Sequence, residues 1–404
     1  MHKGCFSHDK LEKPFKESLE MKFTLNTSIA LASFSQALRT CNVKSKGQPD
    51  SEFLFEKNGD KLTVTSLNET SEQQIVVPTV SISGDDGKFS VAGQAVVEFL
   101  RQISDNEVSC TFNKANNVFY MVSTDPSRQT KFAFPVGDPE DFLPIAFRAT
   151  GTEFEIPGSA LATALHATAF AASTDSSQAP QTAVRLKVCS GGIVAEASDF
   201  HRISSYSASI PEEDSMDDAS LLLRKDISET LSVLLADVST VKVILAANHV
   251  RFLWDDTVFT CVLESEMKKK FAPVEKFFDG ELEGSATLSK GDFQRALKLA
   301  SLVAKDSSVG IKLEGSKIVI TTKEQDRGAS QDAVVCQKSE GESSTFSAWK
   351  YLVKAVDICV SPWIELQFRQ LPNNMGAALI VVDNEYSHLI FPVLPKGDEE
   401  EEED

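Results

Sequence analysis

Three residues whose types could support nucleophilic catalysis stand close together: Ser198, Asp199 and His201. A serine nucleophile needs a histidine base and a carboxylate that orients this base. Side chains alternate between the two faces of a strand, however, so on a single strand Asp199 and His201 share a face that excludes Ser198. The chain also contains no nucleophile elbow, phosphate loop, dinucleotide fingerprint or HExxH motif. We therefore predict a protein that is not an enzyme.

Potential metal ligands and thiols are scattered along the chain. The six histidines show no ligand spacing, and the seven cysteines are odd in number and never spaced as CxxC, so we predict no metal, no cofactor and no disulfide framework. Such cysteine usage is typical of a reducing compartment. The residues are His2, His8, His166, His201, His249 and His388, and Cys5, Cys41, Cys110, Cys189, Cys261, Cys336 and Cys359.

Composition places the chain among ordinary folded proteins. Its 404 residues, 42% of them hydrophobic and 25% charged, predict two to four domains of about 150 residues each. The net charge is −19, to which the run 398–404 contributes seven acids. This balance repels nucleic acid, so any DNA-binding function requires positive charge gathered on one local face.

Targeting signals are missing from the sequence as it stands. No apolar run approaches the roughly 18 to 20 residues that span a bilayer, and the first residues lack the apolar core of a signal peptide. We predict a cytoplasmic protein with no membrane partner. The polar segment 1–20 is predicted to be a disordered extension, and 397–404 a solvated acidic tail.

A pattern of about 130 residues occurs three times. Each copy opens with a short strand that runs into a helix, and the strands begin 131 and 132 residues apart, at Phe23, Phe154 and Ala286. Each copy continues with a strand pair around a polar turn, a second helix and a closing strand. The predicted turns are Asn58-Gly59, Gly191-Gly192 and Gly315-Ser316, and the predicted closing strands are 132–136, 259–263 and 389–393.

This period is too long for a solenoid repeat, so each copy is predicted to be a small α+β domain with its own core. The predicted boundaries are 21–148 for domain 1, 149–280 for domain 2 and 281–396 for domain 3.

Positive charge is concentrated on particular helix faces. Projection of 291–305 at 100° per residue places Phe293, Ala296 and Leu297 on one side and Arg295, Lys298 and Lys305 on the other. The second helix of the same copy carries Lys350 and Lys354 at i and i+4. Any solvated helix carries lysines, but two cationic faces in one copy favour an anionic partner. Other helices and their edges add Arg39, Lys44, Lys46, Arg101, His166, Arg224 and Lys225.

Three motifs in order now identify a family. The opening Met21-Lys22-Phe23-Thr24, the segment Ser198-Asp199-Phe200-His201-Arg202-Ile203 and the ending Leu389-Ile390-Phe391-Pro392-Val393 resemble the bacterial sliding clamp, the beta subunit of DNA polymerase III. The resemblance covers Met21 to about Leu394. It implies three tandem clamp domains, each with two helices packed on antiparallel β-sheets, in a head-to-tail dimer that closes into a ring.

The resemblance also implies a function. Such a ring encircles double-stranded DNA without sequence specificity and acts as a processivity factor for the replicative polymerase. Its other partners are the clamp loader and further proteins that carry a clamp-binding motif. The basic residues would then face the DNA: Arg39, Lys44, Lys46, Arg101, Arg224, Lys225, Arg295, Lys298, Lys305, Lys350 and Lys354.

Two further surfaces follow from the resemblance. The family's partner-peptide pocket lies between the middle and last domains, and its dimer interface joins the first domain to the third domain of the other subunit. The pocket residues implied here are His201, Arg202, Ile203, Leu389, Phe391, Pro392, Val393 and Leu394, and the interface residues are Phe132, Phe134, Leu302 and Val303. Leu302 projects onto the solvent side of its helix, where an exposed apolar side chain favours a protein contact.

Departures from the family keep a second interpretation open. The family usually has glycine where Phe200 stands, and it ends near Leu394 without an acidic tail. The loop 174–180 has neither a cation nor an aromatic residue, whereas the family commonly places Arg and Tyr there. The alternative is a clamp-like phage or plasmid protein that binds host replication factors without encircling DNA.

Overall fold

The computed structural model describes residues 20–125, 130–148, 151–211, 218–264, 271, 273–304, 308–372 and 375–393. The chain folds into two units. One comprises residues 1–146 and 255–259, and the other comprises residues 147–254 and 260–404. The predicted acidic tail and nearly all of the predicted extension lie outside the described residues.

The first unit contains a helix pair and two groups of antiparallel strands. Its elements are β1 (Glu20–Asn26), α1 (Thr27–Leu38), β2 (Glu52–Asn58), β3 (Lys61–Leu67), β4 (Ser71–Val76), β5 (Ser81–Gly84), β6 (Gly87–Ala92), α2 (Gly93–Gln102), β7 (Glu107–Asn113), β8 (Val118–Ser123) and β9 (Lys131–Pro135). The strands are ordered β5-β1-β7-β8-β9 in one sheet and β4-β3-β2-β6 in the other.

Helices α1 and α2 pack against each other over a core rich in phenylalanine. Helix α1 begins where the Asn26 side chain accepts hydrogen bonds from the backbone N–H groups of Ser28 and Ile29, at 3.1 and 3.2 Å. Alternation along β1 buries Met21, Phe23 and Leu25 on one face. The core therefore lies between the helices and the sheets.

The second unit repeats this arrangement twice. Its elements are β10 (Glu153–Ile156), α3 (Gly158–Ala169), β11 (Ala183–Cys189), β12 (Gly192–Ser198), β13 (Arg202–Ser209), β14 (Ala219–Arg224), α4 (Lys225–Leu234), β15 (Val241–Leu245), β16 (His249–Trp254), β17 (Thr257–Val262, which begins in the first unit), β18 (Leu282–Ser289), α5 (Lys290–Ala304), β19 (Ser308–Glu314), β20 (Lys317–Glu324), β21 (Gly328–Gly341), β22 (Ser343–Ala348), α6 (Trp349–Ile358), β23 (Trp363–Gln370), β24 (Ala377–Asp383) and β25 (Tyr386–Ile390).

One long antiparallel arrangement dominates this unit, with strand order β14-β11-β12-β13-β25-β24-β23-β18-β21-β20-β19-β22. Helix α3 packs on α4, and α5 packs on α6. The two copies are joined where β13 pairs with β25. This pairing matters for function because it aligns two distant segments of sequence.

The predicted threefold repetition of an α+β module is confirmed. An opening strand leads directly into a helix at β1–α1, β10–α3 and β18–α5, and each copy has its hairpin, second helix and closing strand. The turn glycines Gly59, Gly191 and Gly315 all have positive φ, between 56° and 79°. This backbone conformation explains glycine at the same place in each copy. The boundaries at 148 and 280 stay predictions.

Two sequence expectations need correction. The last closing strand was placed at 389–393, but β25 ends at Ile390, and Phe391 to Val393 are not in a strand. Ser198, Asp199 and His201 do not share a strand either, because β12 ends at Ser198 and β13 begins at Arg202. Among the described helices, none has both the length and the apolar character needed to cross a membrane.

Candidate functional site

Strands β13 and β25 bring together two of the segments that the sequence singled out. They run antiparallel, with Ile203 opposite Leu389 and Arg202 opposite Ile390. Just past the end of β25, the Phe391 N–H donates a hydrogen bond of 3.0 Å to the carbonyl of His201. The register therefore fixes Phe391 beside the turn that precedes β13.

A cavity of about 490 Å³ opens at this junction. This volume is within the range of small-molecule and peptide-anchor sites. Its lining is mostly apolar and aromatic, and among the described lining residues only Lys276 and His201 carry a charged or titratable side chain. The lining residues are Ser198, Phe200, His201, Ile203, Pro273, Val274, Lys276, Phe277, Leu371, Met375, Phe391 and Pro392.

The floor of the cavity is a small hydrophobic cluster. Ile203, Val274 and Leu371 are buried and pack with Leu389 and Ile380. Phe277 meets Phe391 edge to face, with ring centroids 5.3 Å apart. Aromatic pairs of this geometry are favourable beyond the area they bury. The cavity thus has a rigid apolar base and an aromatic wall.

The wall that carries Phe277 is held by ionic contacts. A short 3-10 helix, Glu275–Phe277, carries Lys276 and Phe277. Glu275 accepts hydrogen bonds from Arg185 and Lys187 on β11, at 2.8 and 2.6 Å. Burial opposes ionisation of Glu275, but the hydrogen bond from Lys187 and the charges of Lys187 and Arg185 outweigh it, so the Glu275 pKa is lowered. This ionised contact fixes the wall against the sheet.

The turn between β12 and β13 is organised by Asp199 rather than arranged for catalysis. One Asp199 carboxylate oxygen accepts from the backbone N–H groups of His201 and Arg202, at 3.1 and 3.2 Å, and the other accepts from Arg202 Nε at 3.0 Å. The Ser198 hydroxyl donates to the Arg202 carbonyl at 3.0 Å. The Ser198 hydroxyl and the Asp199 carboxylate therefore stabilise the turn.

Four of the eight predicted pocket residues line the cavity: His201, Ile203, Phe391 and Pro392. Leu389 is fully buried beneath them and belongs to the floor. Val393 does not line the cavity, and its N–H donates to the carbonyl of Phe346. Leu394 lies outside the described residues.

The prediction that Arg202 lines the pocket is wrong for a simple geometric reason. Neighbouring residues of a strand face opposite sides of the sheet, and Ile203 faces the cavity, so Arg202 does not. The Arg202 guanidinium lies over the rings of Tyr351 and Phe170, at 4.4 and 5.2 Å, and donates to the Phe170 carbonyl at 2.7 Å. It braces the helices α3 and α6 on the other side of the sheet.

A buried histidine belongs to the same brace. His388 Nδ1 lies 2.9 Å from the Ser204 hydroxyl, and its ring stacks on Phe170. Burial, assisted by the charge of Arg202, lowers the His388 pKa well below its usual range. The imidazole is therefore neutral at physiological pH and serves packing.

Sequence reasoning missed the second wall of the cavity. Pro273, Val274, Lys276 and Phe277 lie just before the predicted domain boundary at 280, where the sequence predicts no site residue, and the structure adds Leu371 and Met375 from the loop after β23. The signal that could have found these residues is the composition of the segment, because Phe271, Phe277 and Phe278 are too apolar for a solvated connection.

The predicted cationic residues of α5 and α6 lie on exposed positions. Arg295, Lys298, Lys350 and Lys354 are exposed, whereas Phe293, Ala296, Leu297, Leu352 and Ala355 are buried. A hydrogen bond of 2.9 Å between Gln294 and Asp357 links the two helices. We call Arg295, Lys298, Lys350 and Lys354 the cationic helix faces. Lys305 lies outside the described residues.

The remaining predicted DNA-facing residues are placed less uniformly. In the first unit Arg39, Lys44, Lys46 and Arg101 are all exposed, at the ends of helices or in the loop after α1. In the second unit Arg224 pairs with Asp226 and Glu264.

Lys225 is engaged within the fold. Its ammonium group donates to the carbonyl oxygens of Phe170 and Ala172, at 3.4 and 2.9 Å. Burial is the main cause that lowers the pKa of this lysine. A lysine with these partners braces α3 against α4 and is poorly placed to neutralise phosphate.

The predicted interface residues divide into exposed and buried members. Phe132 is 47% exposed and Leu302 is 70% exposed, as the helix projection predicted for Leu302. Val303 is half-buried. Phe134 is buried in the core of the first unit, in contact with Phe99 and Phe119, so it is not available to a partner.

Across the described ranges, no group of three or more His, Cys, Asp or Glu side chains is arranged to hold a metal ion. The described cysteines, which exclude Cys5, are free thiols.

Comparison with known proteins agrees with this geometry. Residues 155–266 match the family described as the DNA polymerase III beta subunit, central domain. The chain is 22% identical to the beta sliding clamp of Mycoplasma capricolum, over 93% of this chain and 99% of that protein. The solved DNA polymerase III beta subunit of Thermotoga maritima superposes with a TM-score of 0.82 at 18% identity, covering 93% of this chain and 99% of the other. The chain has the sliding-clamp fold.

Further clamps superpose equally well. A sliding clamp of Pseudomonas aeruginosa, solved in complex with griselimycin, gives a TM-score of 0.81 at 16% identity, and the clamp of Bacillus subtilis gives 0.79 at 17%. Each covers 93% of this chain and 99% of its own. The resemblance to sliding clamps and the predicted fold of the single chain are therefore confirmed, and the head-to-tail dimer stays a prediction.

Proposed function

We propose that this protein is a sliding clamp: a homodimeric ring that encircles duplex DNA and tethers the replicative polymerase through the cavity at the β13–β25 junction. The observation that carries the proposal is that cavity. Within the sliding-clamp fold, His201, Ile203, Phe391 and Pro392 converge on one apolar site of about 490 Å³. These are residues to which the family resemblance assigns partner binding.

The cavity is suited to a short peptide with apolar anchors. Its buried floor and aromatic wall accept apolar side chains, and the cation Lys276 at the wall favours a peptide that also carries a carboxylate. A clamp loader and other replication or repair proteins would use the same site in turn. A Pseudomonas aeruginosa sliding clamp was solved bound to griselimycin, so we would test this compound as a ligand of the cavity.

The cationic helix faces supply the proposed DNA contacts. Arg295, Lys298, Lys350 and Lys354 concentrate exposed positive charge on two packed helices of a protein whose net charge is −19. Contacts between long cationic side chains and phosphates position a duplex without reading its sequence. The clamp performs no chemistry in this proposal and needs no cofactor. It raises processivity because a tethered polymerase rebinds at high effective concentration.

Free sheet edges support the proposed head-to-tail dimer. Among the described strands, β9 pairs only with β8, and the first part of β21, Gly328 to Val335, pairs only with β20. Exposed apolar side chains lie on or near both edges: Phe132 on β9, Val335 on β21 and Leu302 on α5. Pairing of β9 with the partner's β21 would extend both sheets and cover these side chains.

One observation favours the alternative, a clamp-like protein that captures replication factors without encircling DNA. The middle copy offers little free positive charge, because Lys225 and Arg224 are engaged and the exposed positions of α4 include Asp226 and Glu229. In the loop 174–180, Asp175 caps the short 3-10 helix Ser176–Gln178. No cation faces outward from that loop.

The mass of the particle in solution and its retention on DNA separate these functions. We expect a dimer of about twice the 44.1 kDa chain mass that clamp loader places on nicked circular plasmid and that is released when the plasmid is linearised. A monomer that binds polymerase peptides and is never retained on circular DNA would support the alternative. Such a clamp would act at the chromosome in the cytoplasm.

A further inference from the structure

Phe200 has a backbone conformation that is unfavourable for its residue type. Its φ is +67°, in the left-handed region. The other non-glycine residues with positive φ in the described chain are Asn117, Asp255 and Asn384, all in hairpin turns. Asparagine and aspartate tolerate this region because their short polar side chains bond locally, whereas a bulky residue is strained there. Among these non-glycine residues with positive φ in the described chain, Phe200 alone has a bulky apolar side chain.

The turn keeps this conformation without help from the Phe200 ring. The Ser198 hydroxyl accepts from the Phe200 N–H at 3.2 Å, and Asp199 accepts from the next two backbone N–H groups. Strained residues persist where surrounding contacts over-determine the backbone. Because these contacts come from Ser198 and Asp199, the side chain at position 200 can be replaced while the turn remains.

The ring gains little from the folded state that would offset this strain. Phe200 is 54% exposed, and it lies at the mouth of the cavity, which Phe277 and Phe391 also line. A half-exposed aromatic side chain forgoes much of the hydrophobic stabilisation that burial would provide. A ligand side chain that enters the cavity would cover this exposed half of the ring.

We propose that Phe200 is a specificity-determining residue of the cavity: its ring packs on an apolar side chain of the bound peptide and selects large apolar anchors over small ones. This proposal rests on peptide binding by the cavity. Strained residues cluster at binding sites, where they hold a group in the geometry that the ligand needs. The left-handed backbone at Phe200 directs its ring to the mouth of the cavity. Glycine has no side chain and could not line the mouth in this way.

Four substitutions distinguish the effect of the Phe200 ring from the effect of the backbone strain at this position. Phe200→Gly removes both, Phe200→Asn removes the ring and tolerates the backbone, Phe200→Ala removes the ring but keeps a Cβ in a left-handed conformation, and Phe200→Tyr keeps both. We expect the Gly and Asn variants to raise the thermal midpoint by roughly 2–4 °C relative to the Ala variant. Phe200→Tyr is expected to match the wild type.

The binding probes are fluorescein-labelled pentapeptides with one aspartate and two apolar positions filled by Leu, Phe or Ala. We expect the Gly, Asn and Ala variants to bind the Leu and Phe peptides about tenfold more weakly, because half of an aromatic side chain is no longer buried. Their affinity for the Ala peptide should be nearly unchanged, so the preference for large anchors falls about tenfold. Phe200→Tyr should retain it.

The outcomes are distinct. Unchanged or tighter binding of the Leu and Phe peptides by Phe200→Gly would overturn the proposal, since the ring would then be neutral or obstructive. A lower thermal midpoint for Phe200→Gly than for Phe200→Ala would overturn the strain argument. If the wild type binds none of the peptides and Phe391→Asp changes nothing, peptide binding by the cavity fails as well. If Phe391→Asp loses peptide binding but Phe200→Gly does not, only the proposal for Phe200 fails.

Discussion

The cavity and the cationic helix faces lie in the same unit but are constructed differently. Around the cavity, side chains are fixed by a strand pairing, by an Asp199 turn and by the contact of Glu275 with Arg185. On the helix faces, Lys298 and Lys354 extend from exposed positions. A site that must recognise a partner needs fixed geometry, while a surface that must let DNA slide needs charge without fixed geometry.

The strongest test of this comparison is a charge placed inside the cavity. We expect Phe391→Asp to weaken binding of a polymerase-derived peptide more than 100-fold, roughly 3 kcal/mol or more, because it removes the aromatic wall and buries an unpaired carboxylate. Titration by fluorescence anisotropy measures the loss, and light scattering checks that the dimer is intact. Val360→Asp, at an 85% exposed position outside the cavity lining, is the matched control. Equal affinity of wild type and Phe391→Asp would remove the segment that follows β25 from the site.

The exposed arc of α5 also carries Leu302, an apolar residue among cations. We expect Leu302→Glu to convert the dimer into a monomer at micromolar concentration, because it places a charge at the proposed contact. Peptide binding should remain, since Leu302 does not line the cavity. Multi-angle light scattering gives the mass. The companion variant Glu314→Gln, at an exposed position at the end of β19, should stay dimeric. A dimeric Leu302→Glu protein would mean that this surface is not the interface.

The helix faces themselves are tested by charge reversal. We expect Lys298→Glu, Lys350→Glu and Lys354→Glu together to weaken direct DNA binding at low salt about tenfold or more and to reduce the salt slope by roughly one for each lost phosphate contact. Peptide affinity should not change. The matched control reverses Lys317, Lys323 and Lys338, which are equally exposed on strands. Similar losses in both variants would show that only net charge matters.

The sequence was sufficient for features that depend on local periodicity. Helix α5 begins one residue before the projected segment 291–305, and the 100° projection correctly separated the buried Phe293 from the exposed Lys298. The strand period of two could also have excluded Arg202 from the cavity once Ile203 was assigned to it.

Other features were beyond local reasoning. The wall that carries Lys276 and Phe277 depends on the ionic contact between Glu275 and Arg185, which are 90 residues apart. The burial of Phe134 beside exposed Phe132 follows from packing against Phe99. Such contacts leave no periodic trace in the chain.

The ionic wall gives the cavity a predicted pH dependence. Because the Glu275 pKa is lowered in the fold, its contribution is complete above the usual carboxyl pKa and is lost as the pH falls through the lowered value. We expect Glu275→Gln to weaken peptide binding roughly two- to fivefold at neutral pH. The variant should also lose part of the acid-side decline in affinity. Glu314→Gln, which removes an ion pair with Lys312 and does not line the cavity, is the control. Identical pH profiles would separate Glu275 from the cavity.

The smallest expected effect concerns the acidic tail, which lies outside the described residues. Seven consecutive acids follow the chain segment that lines the cavity, and the cavity carries the cation Lys276. We expect removal of 397–404 to tighten binding of an acidic peptide about twofold at 50 mM salt and to have no effect at 500 mM, where charges are screened beyond a few ångströms. A variant with the acids replaced by Gln and Asn at equal length separates charge from bulk. Equal binding constants at low salt, with and without the acids, would show that the tail does not shield the cavity.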